Sequence, residues 1–113
     1  MTEERPWGKF EVLLEESDYK VKRITVWPGR RISLQYHKQR SEHWHIVSGG
    51  GLVTIGDRHL DMKRGESIDI PRGALHRVHN TGTENLVLIE IQRGAYMGED
   101  DIFRIEDDFG RLN

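Results

Sequence analysis

Apolar and polar residues alternate along most of the chain with a period of two, in short runs broken by glycine, proline and asparagine. Such alternation marks strands with one face in a core and the other in solvent. The pattern predicts strands at residues 9–14, 19–26, 31–37, 44–48, 51–55, 58–62, 66–70, 76–80 and 86–92. Turn signals fall between them at Pro28-Gly29, 48–51, Gly56-Asp57, 63–65 and 80–85. Many short, evenly spaced strands with tight turns predict an all-β jelly-roll barrel. The stretch 99–108 is expected to be a short helical turn and a tail outside the barrel wall.

Two segments place polar groups within this scaffold. In GRRISLQYHKQRSEHWHIVSG, apolar Ile32, Leu34 and Tyr36 alternate with Ser33, Gln35 and His37, so the latter three share a strand face. A polar reversal at residues 38–41 would return Glu42 beside them from the next strand. One imidazole and two oxygen donors then converge, a mixture that suits a borderline divalent cation. In GESIDIPRGALHRVHN, turns at Gly65 and at Pro71 to Gly73 double the chain back, and His76 would supply a fourth ligand. At average usage the Gly65, Pro71, Gly73 spacing arises at roughly 2 in 10,000 starting positions. Adding His76 and Asn80 makes chance a poor account of it.

These segments resemble the two cupin motifs, GxxxxxHxHxxxxExxxxxxG and GxxxxxPxGxxHxxxN, at every specified position but one. Gln35 stands in place of the first histidine, and a Gln-x-His pair there is carried by mannose-6-phosphate isomerases. Longer stretches, RPWGKF, ISLQYHKQRSEHW, IPRGALHRVHN and IEIQRGAYMGEDDIFRIEDDFGR, are similar to the cupin isomerase part of bifunctional mannose-6-phosphate isomerase/mannose-1-phosphate guanylyltransferases. The resemblance runs from Arg5 to Arg111, and His45 replaces the apolar residue expected after EHW. It implies a metal-dependent isomerase that interconverts mannose 6-phosphate and fructose 6-phosphate. Zinc is the first expectation for the ion, with cobalt, manganese and nickel also compatible. No glycine-rich phosphate loop leading into a helix is found, so residues 1–113 are expected to form a single cupin domain acting alone.

The implied reaction moves a proton between C1 and C2 through an enediol, and it needs a base and a group to hold the oxyanion. In LVLIEIQ, Glu90 alternates with Ile89 and Ile91 and can face the cavity as that base; the alternative is a buried partner for a basic residue. Arg104, in GEDDIFR, matches the arginine-bearing tail of the family and would steady the oxyanion, unless it is tied to Asp100, Asp101 or Asp108. Lys22 and Ser33 would hold the phosphate. Gln35 has an alternative role as an interior hydrogen-bonding residue, Glu42 as a salt-bridge partner of Arg40 or Lys38, and His37 and His76 as ordinary core histidines. His43, His45, His59 and His79 are expected at the surface or behind the ligands, and Trp44 in packing rather than against a sugar.

Composition narrows the rest. With 113 residues, 35% hydrophobic and 32% charged, there is room for one core. No apolar run approaches the ~20 residues of a membrane span and MTEERPWGKF lacks an apolar signal core, so a cytoplasmic location without membrane partners is expected. Seven basic and no acidic residues lie between Lys20 and Ser41, and six acidic ones between Glu99 and Asp108. No broad basic excess accompanies interleaved aromatics, so nucleic acid is not an expected partner. Exposed sheet edges favour a homodimer. Two other functions remain open: a cupin dioxygenase, which Gln35 disfavours, and a non-catalytic sugar-binding cupin.

Overall fold

In a computed structural model that describes residues 2–112, the chain folds into two antiparallel sheets facing one another. Its strands are β1 Thr2–Arg5, β2 Gly8–Glu15, β3 Tyr19–Val26, β4 Leu34–Tyr36, β5 Arg40–Ser48, β6 Gly50–Ile55, β7 Arg58–Lys63, β8 Ser67–Ile70, β9 His76–His79, β10 Leu86–Gly94 and β11 Phe103–Glu106. One sheet runs β1-β2-β3-β10-β5-β8 and the other β11-β4-β9-β6-β7. This is the all-β jelly-roll arrangement that the alternation predicts.

Three departures from the sequence reading each have a physical cause. β1 has no apolar alternation, and its pairing with β2 comes from backbone register alone, Thr2 opposite Glu11 and Arg5 opposite Gly8. β5 begins at Arg40, inside the expected reversal, because Arg40, Glu42, Trp44 and Ile46 all turn inward, and the first two are polar residues buried in the cavity rather than turn residues. The acidic segment 99–108 is not a free tail. A 3-10 turn at Glu99–Asp101 leads into β11, which pairs with β4 and stacks Phe103 on Tyr36 at 5.1 Å between centroids.

Register explains where the cavity lies. β10 pairs with β3 on one side and β5 on the other, so their inward residues form rows. Val26 with Leu86, then Ile24, Leu88 and Ile46, are apolar and buried; the next rows bring Lys22, Glu90 and Trp44 together, then Gln92 beside Glu42. The barrel is therefore an apolar core at one end, completed by Val53, Ile70 and Val78, and a polar cavity at the other.

Turn chemistry joins the two motifs. Gly65 and Gly73 have φ of 91° and 80°, a region that side chains disfavour. The Gly73 amide donates to the carbonyl of His37 at 2.8 Å, so the second motif's turn is tied directly to the first motif's histidine. At the opposite end Asn80, with no exposed surface, donates through Nδ2 to the carbonyls of Val26 and Glu84, each at 2.8 Å, and accepts from the Gly82 amide at 3.0 Å. Asn80→Ala leaves the Val26 carbonyl and Gly82 amide without these partners and should cost about 2–4 kcal/mol in denaturant unfolding, with no change in affinity at the distant cavity.

Candidate metal centre

His37, Glu42 and His76 each direct a ligand atom to one place, with all three atoms within 4.8 Å of one another and all three residues buried. The remaining ring nitrogen of each histidine is anchored to backbone. His37 Nδ1 lies 2.8 Å from the Asp101 carbonyl and His76 Nδ1 2.9 Å from that of Ala74. A carbonyl only accepts, so both Nδ1 atoms carry a proton, and each Nε2 is the atom turned toward Glu42, a donor to it when protonated and a ligand when not. His37 Nε2 then sits 3.1 Å from Glu42 Oε2, and His76 Nε2 3.6 Å from Glu42 Oε1. Imidazole and carboxylate approach this closely only with a proton or a cation between them, and Arg40 Nη2 lies 3.4 Å from His37 Nε2 on the same side. His76 Nε2 is buried and has no hydrogen-bond partner. Two imidazoles and a carboxylate with fixed tautomers fit a borderline divalent cation such as zinc, cobalt, manganese or nickel.

Gln35 lies opposite His76 in the β4–β9 register and opposite Arg104 in the β4–β11 register, and it lines the same cavity. Its amide is thus on the cavity wall beside the cluster. Arg40, a residue the motifs do not specify, donates from Nε to Glu42 Oε2 at 3.1 Å. The salt bridge and the ligand role are compatible, because Glu42 has a second oxygen turned to His76 and to the Trp44 indole, which donates at 3.0 Å. Trp44 is 1% exposed and packs in the core, with its Nε1–H shared between Glu42 and Glu90 Oε2, the latter at 3.1 Å.

The cavity has about 70 Å³ of solvent-sized space and also draws in Lys22, Ser33, Glu90, Gln92, Glu99 and Arg104. Burial would raise the Glu42 carboxyl, but the His37 hydrogen bond and the charges of His76 and His37 outweigh it and hold Glu42 well below the usual carboxylate range. Burial lowers His76, which favours the neutral, ligating form. Glu90 is pushed up to about 8, first by burial and then by the charge of Glu42. Of these two neighbouring carboxyls, Glu42 is the ionised one and Glu90 keeps its proton. Burial, followed by the charge of Arg111, lowers Arg104. Of the aspartates considered as its partners, Asp101 accepts from the Lys38 and Gln39 amides at 3.0 and 2.9 Å, and Asp108 pairs with Arg31 at 2.7 Å. Lys22 Nζ rests 4.2 Å from the centre of the Phe10 ring and 3.5 Å from Glu99.

The other histidines lie away from this cluster. His43 contacts Asp69 at 2.7 Å, His45 contacts Ser67 at 2.6 Å and His59 contacts Thr54 at 3.1 Å. Asp101 was the functional residue least visible in the sequence: its carbonyl orients His37 and its carboxylate caps the loop before β5. Only its place in an acidic block next to Arg104 hinted at a role.

A family model described as mannose-6-phosphate isomerase C-terminal matches residues 1–107. The chain is 50% identical over 107 residues to the xanthan biosynthesis protein XanB of Xanthomonas campestris pv. campestris strain B100, covering 95% of this chain and 23% of that one. It is 45% identical over 107 residues to a mannose-1-phosphate guanylyltransferase of Klebsiella pneumoniae, again 95% and 23%. The chain thus spans under a quarter of the length of these relatives. The capsular polysaccharide assembling protein CapF of Staphylococcus aureus superposes with a TM-score of 0.84 at 21% identity, over 94% of this chain and 34% of that one, a likeness of fold.

Two measurements test the cluster. His76→Ala should abolish stoichiometric zinc or cobalt binding, read by calorimetry or by cobalt absorption, while circular dichroism stays that of the native fold. The second concerns Glu90 in the metal-free chain. Between the ordinary carboxylate value of 4.5 and about 8 the folded chain holds a proton at Glu90 that the unfolded chain has released, so stability falls as pH rises through that window. Glu90→Gln should remove this part of the slope in thermal unfolding scans from about pH 5 to about pH 9.

Proposed function

As a member of the mannose-6-phosphate isomerase C-terminal family, the chain is one that we propose acts as a metal-dependent aldose-ketose isomerase, interconverting mannose 6-phosphate and fructose 6-phosphate in the cytoplasm. The observation that carries this reading is the adjacency of two unlike groups in one cavity. A buried His37-Glu42-His76 cluster suited to a cation lies next to Glu90, a carboxyl whose pKa of about 8 is close to neutral.

A divalent cation held by His37, Glu42, His76 and Gln35 would supply Lewis-acid polarisation of the substrate carbonyl. Glu90 does the proton work. A group with a pKa near the working pH is populated in both states, so it can accept the proton from one of C1 and C2 and return it to the other. Its two oxygens are fixed by the Trp44 indole at 3.1 Å and the Gln92 amide at 2.7 Å, which orients the carboxyl without a mobile partner. Arg104, on the cavity wall, would hold the oxygen that gains negative charge in the enediolate. Lys22 and Ser33, 5% and 2% exposed, would take the phosphate, with Glu99 giving up its contact with Lys22 to the stronger anion. Remote phosphate binding then contributes to positioning of the reacting carbons.

The assay is coupled detection of fructose 6-phosphate from mannose 6-phosphate, using chelated protein and protein with each metal restored. Turnover should vanish on chelation and return with zinc or cobalt. Glu90→Gln should lower kcat by about 10²–10⁴ with bound metal unchanged. A non-catalytic sugar-binding cupin predicts instead binding of mannose 6-phosphate with no product in any metal.

A further inference from the structure

Gln92 is a fully buried side chain, 1% exposed, on the inward face of β10. Its amide donates from Nε2 to Glu90 Oε1 at 2.7 Å. Oε1 therefore points away from Glu90. There it has no hydrogen-bond partner, although Gln92 lines the cavity. A buried acceptor without a donor is destabilising, so its retention calls for a partner. Two of its three inward neighbours along the same strand, Leu86 and Leu88, show what that face carries when it only has to pack.

We propose that Gln92 is a specificity-determining residue whose Oε1 accepts a hydrogen bond from a hydroxyl of the bound sugar phosphate. This rests on the isomerase reading of the cavity and adds how the site distinguishes a polyol chain from other phosphorylated compounds. The ligand is required to be a donor, because amide oxygen only accepts, and the phosphate dianion has no proton to offer at neutral pH. Among the groups of a sugar phosphate that leaves the hydroxyls. Through Nε2 the same side chain fixes Glu90 Oε1, so hydroxyl recognition and orientation of the carboxyl are mechanically linked. Sites that pair a substrate hydroxyl with a buried polar group discriminate strongly against analogues lacking it, since the group is then left desolvated and unpaired.

The test uses zinc-loaded protein and mannitol 6-phosphate, an open-chain polyol phosphate that cannot isomerise, with its monodeoxy analogues. Gln92→Leu should weaken mannitol 6-phosphate at least tenfold, or about 1.4 kcal/mol, in calorimetry. Against one deoxy analogue the native chain and the variant should bind alike, which identifies the hydroxyl read by Oε1. Thermal stability of the variant should be equal or higher and zinc content unchanged, outcomes that separate recognition from a structural role. Gln92→Met, whose flexible side chain fills the same space, should repeat the loss. Equal affinity of both variants and the native chain for mannitol 6-phosphate would overturn the inference while leaving the isomerase reading intact. Failure of the native chain to bind any sugar phosphate, together with absence of turnover, would overturn both.

Discussion

The site depends on keeping Glu42 ionised while buried. A carboxylate withdrawn from water is tolerated only where several donors or charges surround it. Here Arg40 and the Trp44 indole donate to it, and His37 and His76 face its two oxygens. The ring of partners fixes the geometry of the cluster, and it also sets Glu90. Its own burial first, and then the ionised Glu42 next door, let the second carboxyl retain its proton to about pH 8. Burial and that one charge thus leave two neighbouring carboxyls in opposite states, one ionised and one protonated.

Such a concentration of charge would destabilise a small core if mixed into it. The register of β3, β10 and β5 separates the two: apolar rows at Val26, Leu86, Ile24, Leu88 and Ile46, then polar rows at Lys22, Glu90, Gln92 and Glu42. Trp44 stands at the boundary, its ring in the core and its N–H between the two carboxyls. A tryptophan is well suited to that position, since it combines a large apolar surface with a single donor that cannot become an acceptor. The strand alternation that built the fold also sorts the chemistry to one end of it.

The sequence displayed the parts of this arrangement that local chemistry enforces. Gly65 and Gly73 were legible because only glycine adopts their backbone conformation easily, and their spacing to His76 is set by a strand and a turn. Ser33, Gln35 and His37 were legible because alternation puts them on one face, and all three line the cavity although β4 itself covers only Leu34–Tyr36. The family resemblance supplied what spacing alone did not, above all the attention to Arg104. What stayed hidden depends on contacts between distant residues. Nothing near Asp101 says that its carbonyl meets His37, 64 positions away, and the acidic density around Phe103 and Ile105 masked a strand. Arg40 resembled a turn residue because a buried arginine is exceptional until the carboxylate it serves is known to be buried as well.

The C-terminal segment changes how the site is to be understood. It is not an appendage, since the Asp101 carbonyl fixes the His37 tautomer, its carboxylate caps the Lys38 and Gln39 amides, and Glu99 meets Lys22 at the cavity. The Met97 and Gly98 carbonyls also contact Arg40, the main charge partner of Glu42. Residues 97–101 therefore touch a histidine of the cluster, the guanidinium that steadies its carboxylate and the cation proposed for phosphate. A displacement of this one short segment would be felt at all three together. In a barrel whose walls are hydrogen-bonded ladders, the 3-10 turn is the element that touches the candidate cation cluster, its arginine and Lys22 at once.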